Sequence, residues 1–409
     1  MRRLFFALGL LLSLMSAAAQ QHARRKLLVV SVDGLDWRYL HDRDAMHLSI
    51  PNFRRLLATS EAADGVIGVF PTITWPSHTS IITGVRPDQH GIEGNRRPKA
   101  EGGDYYWPAS LIRVPTLLTC AAQNHLTTAT ITWPVTVDAP VTWNLPEYFH
   151  RRDGGSMDLE TVSTKATPGL VDAITKMDPS FPQQWVDDRT RTLAVLYLLK
   201  EKQPDLILVH LVDLDSEEHD QGPFTQNADA ILERTDRLLG NMIEALPADY
   251  DLAVVSDHGF ERIDHIANLS VLLQKAGVQG SVRSLGGLAV TSDPAVAEFL
   301  RRSSVDGQDQ IGREVPHDEL LQYAPQLKDA IAAFEPAPHI MFGFGESNAN
   351  SQYLTPPQEK GNHGLWPTLP DYRSVFLLHG SGISPRSIGE IQMLSIKDRL
   401  ASRLGIDCQ

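Results

Sequence analysis

The sequence predicts an α/β fold, with a mostly parallel central sheet sandwiched by helices and a smaller subdomain inserted in it. Three observations predict it. Short apolar runs alternate with stretches of helical periodicity from Lys26 onward, some of those runs stop at an Asp, and the segment at about 261–360 is richer in loops. Continuous apolar runs of strand length read as strands buried on both faces, and strands separated by helices imply parallel pairing through crossovers. In such a sheet, polar residues just past the carboxyl ends of strands converge on one edge, where ligands bind. With 409 residues, 42% hydrophobic and 21% charged, the chain has globular composition and room for one large core with an insertion.

The elements follow in order. MRRLFFALGLLLSLMSAAAQQ joins Arg2 and Arg3 to an apolar run and then to small residues at 17–19. That is the pattern of a secretory signal peptide over residues 1–19, with an apolar run short of the ~20 residues that span a bilayer. The chain is therefore expected to be exported, either periplasmic or secreted, and no later segment is long and apolar enough to span a membrane. LLVVSV (27–32) reads as a buried strand ending at Asp33-Gly34, and SIPNFRRLLATSEA as a helix with Pro51 in its first turn. VPTLLTCAAQN is helical and TATITW (128–133) a β-branched strand. RTLAVLYLLKEKQ is a helix closed by Pro204, DLILVHLVD a strand, 228–246 a long helix, and DLAVVS (251–256) a strand running into Asp257-His258-Gly259. Within 261–360, SDPAVAEFLRR and HDELLQYAPQLKDAIAAFEP read as helices and GGLAVT as a strand. YRSVFLLHG and a last helix, SIKDRLASRLG, resume the core, which makes 26–409 one catalytic domain with an insert.

The formal net charge is −13, and removing Arg2 and Arg3 with the leader takes it to −15 (−13 − 2). No run of Lys and Arg interleaved with aromatics occurs, which excludes electrostatic binding to a nucleic-acid polymer. An acidic chain acting on an anion needs local positive charge, and a metal supplies it. Cys120 and Cys408 are the two cysteines; the sequence leaves their pairing open, and neither has metal-ligand spacing, so any metal is held by Asp and His. Nothing in the sequence specifies an oligomeric state.

Four short signals carry the chemistry. Asp33 ends the first strand in SVDGLDW. DLDSEEHDQGP sets Asp215 and His219 four residues apart, within reach of one ion across a helical turn, with Asp213 and Asp220 as neighbouring alternatives. SDHGF places Asp257 and His258 directly after a strand, and KGNHGLW sets His363 between glycines that permit close backbone approach. Each alone is weak, but together they supply three carboxylates and three imidazoles at the edge where a parallel sheet gathers its ligands. With one hydroxyl, that inventory fits two metal ions. Mixed imidazole and carboxylate donors suit two Zn²⁺, ahead of Mn²⁺, Fe or Co²⁺. Three ligating carboxylates against two dications leave a local charge of about +1. The hydroxyl comes from FPTITWPSHTSIITG (70–84), which offers Thr72, Thr74, Ser77, Thr79, Ser80 and Thr83.

The chain resembles the alkaline phosphatase superfamily, in its branch of nucleotide pyrophosphatases and type I phosphodiesterases. The resemblance runs in order over nearly all of 27–406. It rests on VDG at the first strand, PTxTxPxHxSxxTGxxPxxHGIxxN from Pro71 to Asn95, DxxxH at Asp215 followed by Gly222-Pro223, SDHG at Asp257, GNHG at His363, and DYRSVFLLHGSGI. It implies an alkaline phosphatase-like fold and Thr74 as nucleophile, two residues before the Pro of the TxP step. It also implies one metal on Asp33, Asp257, His258 and the Thr74 oxygen, and a second on Asp215, His219 and His363. Asn95 and the Thr74 N–H would then face a phosphoryl oxygen, Trp75 would wall a base or other leaving group, and Thr72, Ser77 and Thr79 would bond backbone as scaffold. The activity implied is hydrolysis of phosphodiester or pyrophosphate bonds in small nucleotide-like substrates through a phospho-threonine intermediate.

The alternative within the family is a phosphate monoesterase. Its threonine-nucleophile members are expected to carry a Lys-x-Arg pair after the Asn, which this chain lacks; Arg96-Arg97 and Arg151-Arg152 read as surface charge. TWPSH departs from the C/S-x-P-x-R pattern of sulfatases. A catalytically inactive phosphoester-binding protein would most simply lack a ligand or the nucleophile, and here all are present.

Overall fold

The computed structural model describes residues 25–149, 157–306, 310–343 and 351–408; the leader at 1–19 and Arg151-Arg152 lie outside the described residues. At its centre is an eight-stranded sheet. In chain order its strands are β1 (Lys26–Val32), β2 (Glu61–Ala62), β3 (Thr128–Ile131), β4 (Trp143–Leu145), β5 (Leu206–Leu211), β6 (Tyr250–Val255), β7 (Phe376–His379) and β8 (Arg386–Ser387). Their spatial order is β8-β2-β7-β6-β1-β5-β3-β4. The five strands from β6 to β4 pair in parallel, and β7 runs antiparallel to both its neighbours.

The strands are apolar on both faces because both are covered. Along β1, Leu28, Val30 and Val32 enter one buried cluster, and Leu27 and Val29 enter another on the opposite face. This is the period of two that a pleated strand imposes. The register then decides where chemistry collects. Val32 lies opposite Leu211 of β5, and Ser31 opposite Val255 of β6. Three neighbouring parallel strands therefore end at one level, with Asp33, the Val212–Asp213 step and Ser256-Asp257 just beyond them.

Between β6 and β7 the chain builds two smaller sheets of three or more strands, besides the two-stranded pairing of Glu261–Arg262 with Gly361–Asn362. One has four strands in the order Arg283–Leu285, Leu288–Thr291, Ala332–Pro336, Ile311–Glu314; the other has three, Ile340–Gly343, His265–Asn268, Leu354–Thr355. One expectation fails here. HDELLQYAPQLKDAIAAFEP was expected to be helical throughout, yet only His317–Tyr323 and a short 3₁₀ turn at Pro325–Leu327 are, and Ala332–Pro336 is a strand. That segment pairs antiparallel on both sides and buries Phe334 completely, so tertiary pairing overrides the helical preference of its alanines. The four-stranded sheet packs on Phe70 and Trp366, whose rings meet at 4.8 Å.

Cys120 and Cys408 form a disulfide that bridges a sequence separation of 288 residues and ties the end of the chain to the helix before β3. Closing so long a loop restricts the unfolded chain. Cys408→Ser is therefore expected to lower stability by about 2–5 kcal/mol, read as a lower urea midpoint with a higher m-value, since the unfolded chain then expands. An unchanged midpoint would show that the bridge contributes nothing to the fold.

Candidate functional site

The four signals meet at the carboxyl edge of the sheet. Asp33 follows β1 in a turn that Gly34 makes possible at φ +72°. A side chain on Gly34 would lie 2.6 Å from Glu218 Oε2 as well as strain the backbone. Asp257 and His258 follow β6 in irregular backbone, so their adjacent side chains are able to face the same space. Asp215 and His219 stand one turn apart on helix α1 (Asp213–Gln221), which begins two residues after β5. His363 comes last, just past Gly361. A Cβ on Gly361 would sit 2.5 Å from the Glu218 carbonyl, so glycine lets this segment close against the helix.

Hydrogen bonds orient each of these side chains. Every imidazole points its Nδ1 at a backbone carbonyl: His219 at Gly361 (3.1 Å), His258 at Gly259 (3.2 Å) and His363 at Thr72 (3.2 Å). An Nδ1–H donated to a carbonyl leaves the Nε2 lone pair for a ligand. Those Nε2 atoms face carboxylates. His258 Nε2 lies 3.3 Å from Asp33 Oδ1 and 3.0 Å from Asp257 Oδ2; His219 and His363 Nε2 lie 3.5 and 3.6 Å from Asp215 Oδ1. The far oxygens of two carboxylates are engaged. Asp33 Oδ2 accepts from His210 and Asp257 Oδ1 from the Gly34 N–H.

What remains is a set of acceptors facing acceptors. Asp33 Oδ1, Asp215 Oδ1, Asp257 Oδ2 and His258 Nε2 are all buried without a hydrogen-bond partner. Buried orphans of this kind call for an explanation, and cations placed among them would satisfy them. The electrostatics agree. Burial, with Asp215 and Asp257 close by, pushes the Asp33 carboxyl well up, whereas His258 and His78 hold Asp257 down despite its own burial. Burial also raises Asp215. Burial and the neighbouring imidazoles push His363 well down, so it is a neutral donor. Burial lowers His219, but Asp215 and Glu359 outweigh it and lift the imidazole to about 9. The donor set fits a divalent transition metal. Its tightest groupings are Asp33, Asp257 and His258, and Asp215, His258 and His363; His219 stands at the rim of the second. Of the neighbouring carboxylates, Asp213 is turned away into ion pairs with Arg191 and Arg234.

Thr74 is the first residue of helix α2 (Thr74–Thr83) and keeps a little exposure, at 8%. Its N–H, at the first helical position, lies outside the helix's own ladder and at the positive end of its dipole. Asn95 Oδ1 accepts from the Trp75 N–H at 3.0 Å, which leaves the Asn95 amide hydrogens for another acceptor. Among the other hydroxyls of the stretch, Thr72 bonds the Leu365 carbonyl, Thr79 the Trp75 carbonyl, Ser80 His90 and Thr83 the Thr79 carbonyl. Ser77 differs from expectation, since its Oγ is buried with no partner. Trp75 differs too. At 1% exposure it is packed against Tyr105 and Trp107, so its face is covered by protein and not open to a leaving group.

The structure adds residues that the sequence reading missed. His78 is fully buried, with Nε2 on Ser31 Oγ and Nδ1 on the Thr74 carbonyl; burial pulls its imidazole down to about 3. His210 and Glu147 back Asp33. Glu218, buried beside Asp215, takes the Tyr39 hydroxyl on one oxygen, and burial pushes its carboxyl well up. A polar residue inside an apolar strand run, as in LILVHL, was the available signal for His210.

A family model described as type I phosphodiesterase / nucleotide pyrophosphatase matches residues 27–339. The chain is similar to a venom phosphodiesterase from Crotalus durissus collilineatus, 25% identical over 270 residues, which are 59% of this chain and 28% of that protein. It spans only that share of the venom protein's length. It is also similar to human ectonucleotide pyrophosphatase/phosphodiesterase family member 5, 24% identical over 392 residues, 90% of this chain and 72% of that one. The structure of the murine family member 5 superposes with a TM-score of 0.65 at 18% identity, covering 94% of this chain and 96% of that one, which is a likeness of fold.

A cation entering this site displaces the proton that His219 holds at neutral pH. Zn²⁺ titration of the demetallated protein at pH 7, run calorimetrically in buffers of different ionisation enthalpy, is expected to show release of about one proton. Affinity is expected to rise with pH up to about 9. Affinity indifferent to pH between 6 and 9 would show that His219 does not bind the ion.

Proposed function

Since this chain belongs to the type I phosphodiesterase / nucleotide pyrophosphatase family, we propose that it is an exported, metal-dependent hydrolase of phosphodiester or pyrophosphate bonds in nucleotide-like substrates, acting through a phospho-threonine intermediate. One observation carries the reading: three imidazoles tied at Nδ1 aim their Nε2 atoms at buried, unpartnered carboxylate oxygens beside the start of the Thr74 helix. Asp33, Asp257 and His258, with Thr74 Oγ1, would hold one ion, and Asp215, His219 and His363 the other. Two Zn²⁺ held there would supply Lewis-acid stabilisation of negative charge on the Thr74 oxygen and the leaving oxygen, and would lower the pKa of a bound water.

The protein's own contribution is placement. Helix α2, which begins at Thr74, would hold Thr74 Oγ1 for attack on phosphorus in line with the departing alcohol or phosphate. The Thr74 N–H and the Asn95 amide, oriented because its Oδ1 is engaged by Trp75, would donate to a non-bridging phosphoryl oxygen as its charge develops. Asp33, Asp215 and Asp257 offset the charge of the ions, so a substrate with a single negative charge meets a modest net positive field.

The diester reading is preferred to the monoester one. Arg96 stands on Tyr105, with its guanidinium 4.3 Å from the ring and one nitrogen on the Gly103 carbonyl, and so is engaged elsewhere. The solved complex of an inactive threonine-to-alanine variant of the murine relative with AMP supports a nucleotide-sized ligand. Export is supported by the N-terminal basic and apolar pattern and by the Cys120–Cys408 bridge, which an oxidising compartment preserves. No helix among the described residues is long and apolar enough to cross a membrane.

The zinc-loaded protein is expected to show higher kcat/KM on bis-p-nitrophenyl phosphate and p-nitrophenyl thymidine 5′-phosphate than on p-nitrophenyl phosphate. Chelation should abolish it, and Thr74→Ala should lower it by about a thousandfold or more. Asn95→Ala should lower kcat by about a hundredfold with little change in KM. A preference for the monoester would move the assignment to a phosphatase, and full activity in Thr74→Ala would remove the nucleophile assignment.

A further inference from the structure

Asp33 is gripped from behind by two buried side chains in series, His210 and Glu147. His210, fully buried on β5, places Nε2 2.8 Å from Asp33 Oδ2. Its Nδ1 lies 3.0 Å from Glu147 Oε2 and 3.1 Å from the Thr132 carbonyl. Glu147 sits just beyond β4, 7% exposed, and Thr132 just beyond β3. Both ring nitrogens thus face acceptors, and the ring is held in place on its side by His78, 4.2 Å away between centroids.

We infer that His210, braced by Glu147, is a positioning residue that decides which oxygen of Asp33 is offered to a cation. A carboxylate on a short side chain turns freely about its last torsion, and the two oxygens are equivalent until something distinguishes them. The His210 N–H does so by engaging Oδ2, which leaves Oδ1 unpartnered and 3.3 Å from His258 Nε2. The Gly34 N–H performs the same office for Asp257, engaging Oδ1 and leaving Oδ2 beside the same nitrogen. Glu147 and the Thr132 carbonyl fix the ring in turn, since a flip would carry Nδ1 away from both of them. Neither His210 nor Glu147 belongs to the groupings that face the cation pocket, and their hydrogen bonds reach it through Asp33. This inference rests on the reading that Asp33 holds an ion and extends it to the residues that aim it.

The test is metal binding, not turnover. Demetallated protein is titrated with Zn²⁺ against a chromophoric chelator, and the Co²⁺ form is examined by its d–d absorption, for wild type, Asp33→Asn, His210→Phe, His210→Gln and Glu147→Gln. Asp33→Asn identifies the binding step that depends on Asp33. His210→Phe is expected to weaken that step by about tenfold or more and the other by less than about twofold, and to shift the Co²⁺ bands at saturation. His210→Gln, whose amide is able to donate to Oδ2, should recover most of the loss. A residue that merely filled space would move the melting temperature and both steps together, without rescue by Gln. Should His210→Phe fail to fold, Glu147→Gln still serves, with an expected loss of about threefold at the Asp33-dependent step. An unchanged Asp33-dependent step in the folded variants would overturn the inference while leaving the metal reading intact. If Asp33→Asn itself altered neither step, the reading that Asp33 holds an ion would fall, and the inference with it.

Discussion

Everything at the sheet edge depends on one electrostatic constraint. Asp33 and Asp257 are buried within a few ångströms of one another, and Asp215, only partly exposed, closes on the same imidazole, His258. Two like charges at the 4.8 Å limit of these clusters repel by about 3–4 kcal/mol at an effective dielectric of 20. Desolvation adds to that for each carboxylate. Protons relieve the conflict in part, which is why Asp33 is pushed up while Asp257 stays down: a coupled pair shares its charge unevenly. A divalent cation relieves it fully, and the same imbalance that makes the cation-free site costly makes it a strong ligand cage.

The fold tolerates this cost because the rest of the sheet is stable without the site. β5 and β6 are buried along their whole lengths and β1 from Leu27 on, with clusters on both faces, and the conflict is confined to residues past their ends. Backbone groups and neutral side chains then do the orienting. Carbonyls of Gly361, Gly259 and Thr72 fix the three imidazoles, and the Gly34 N–H fixes Asp257. These partners need no ion to be in place, so the geometry is organised before any ligand arrives.

Much of this was legible in the sequence, for a physical reason. Apolar runs that stop at an Asp disclose both a buried strand and what lies beyond its end, so β1 and β6 announce Asp33 and Asp257 together. The Asp215–His219 spacing matches one helical turn whatever surrounds it. The rest was hidden because it depends on neighbours far away in sequence. Ala332–Pro336 has the composition of a helix and becomes a strand because two others flank it. Trp75 was expected at a ligand's side and is instead covered by Tyr105 and Trp107, brought in from thirty residues on. Glu147 and His210 read as a loop acid and a strand histidine until the sheet sets them either side of one hydrogen-bonded chain.

The small four-stranded sheet matters to this centre by the place it packs. Phe70 lies four residues before Thr74, and Trp366 lies three after His363; both enter the cluster built by Leu288, Val290, Leu320 and Ala333. A backbone bond from the Gly287 N–H to the Gly364 carbonyl, at 2.8 Å, joins the same sheet to the His363 loop. The segments that carry the Thr74 hydroxyl and the His363 imidazole are thus clamped on a shared support, and also to each other, since His363 Nδ1 bonds the Thr72 carbonyl and the Gly364 N–H bonds it too. A packed interior resists small displacements, because moving one side chain opens a gap behind it. Thr74 and His363 therefore keep their separation through this support rather than through the ion, and a ligand arriving between them meets two groups already set against the same wall.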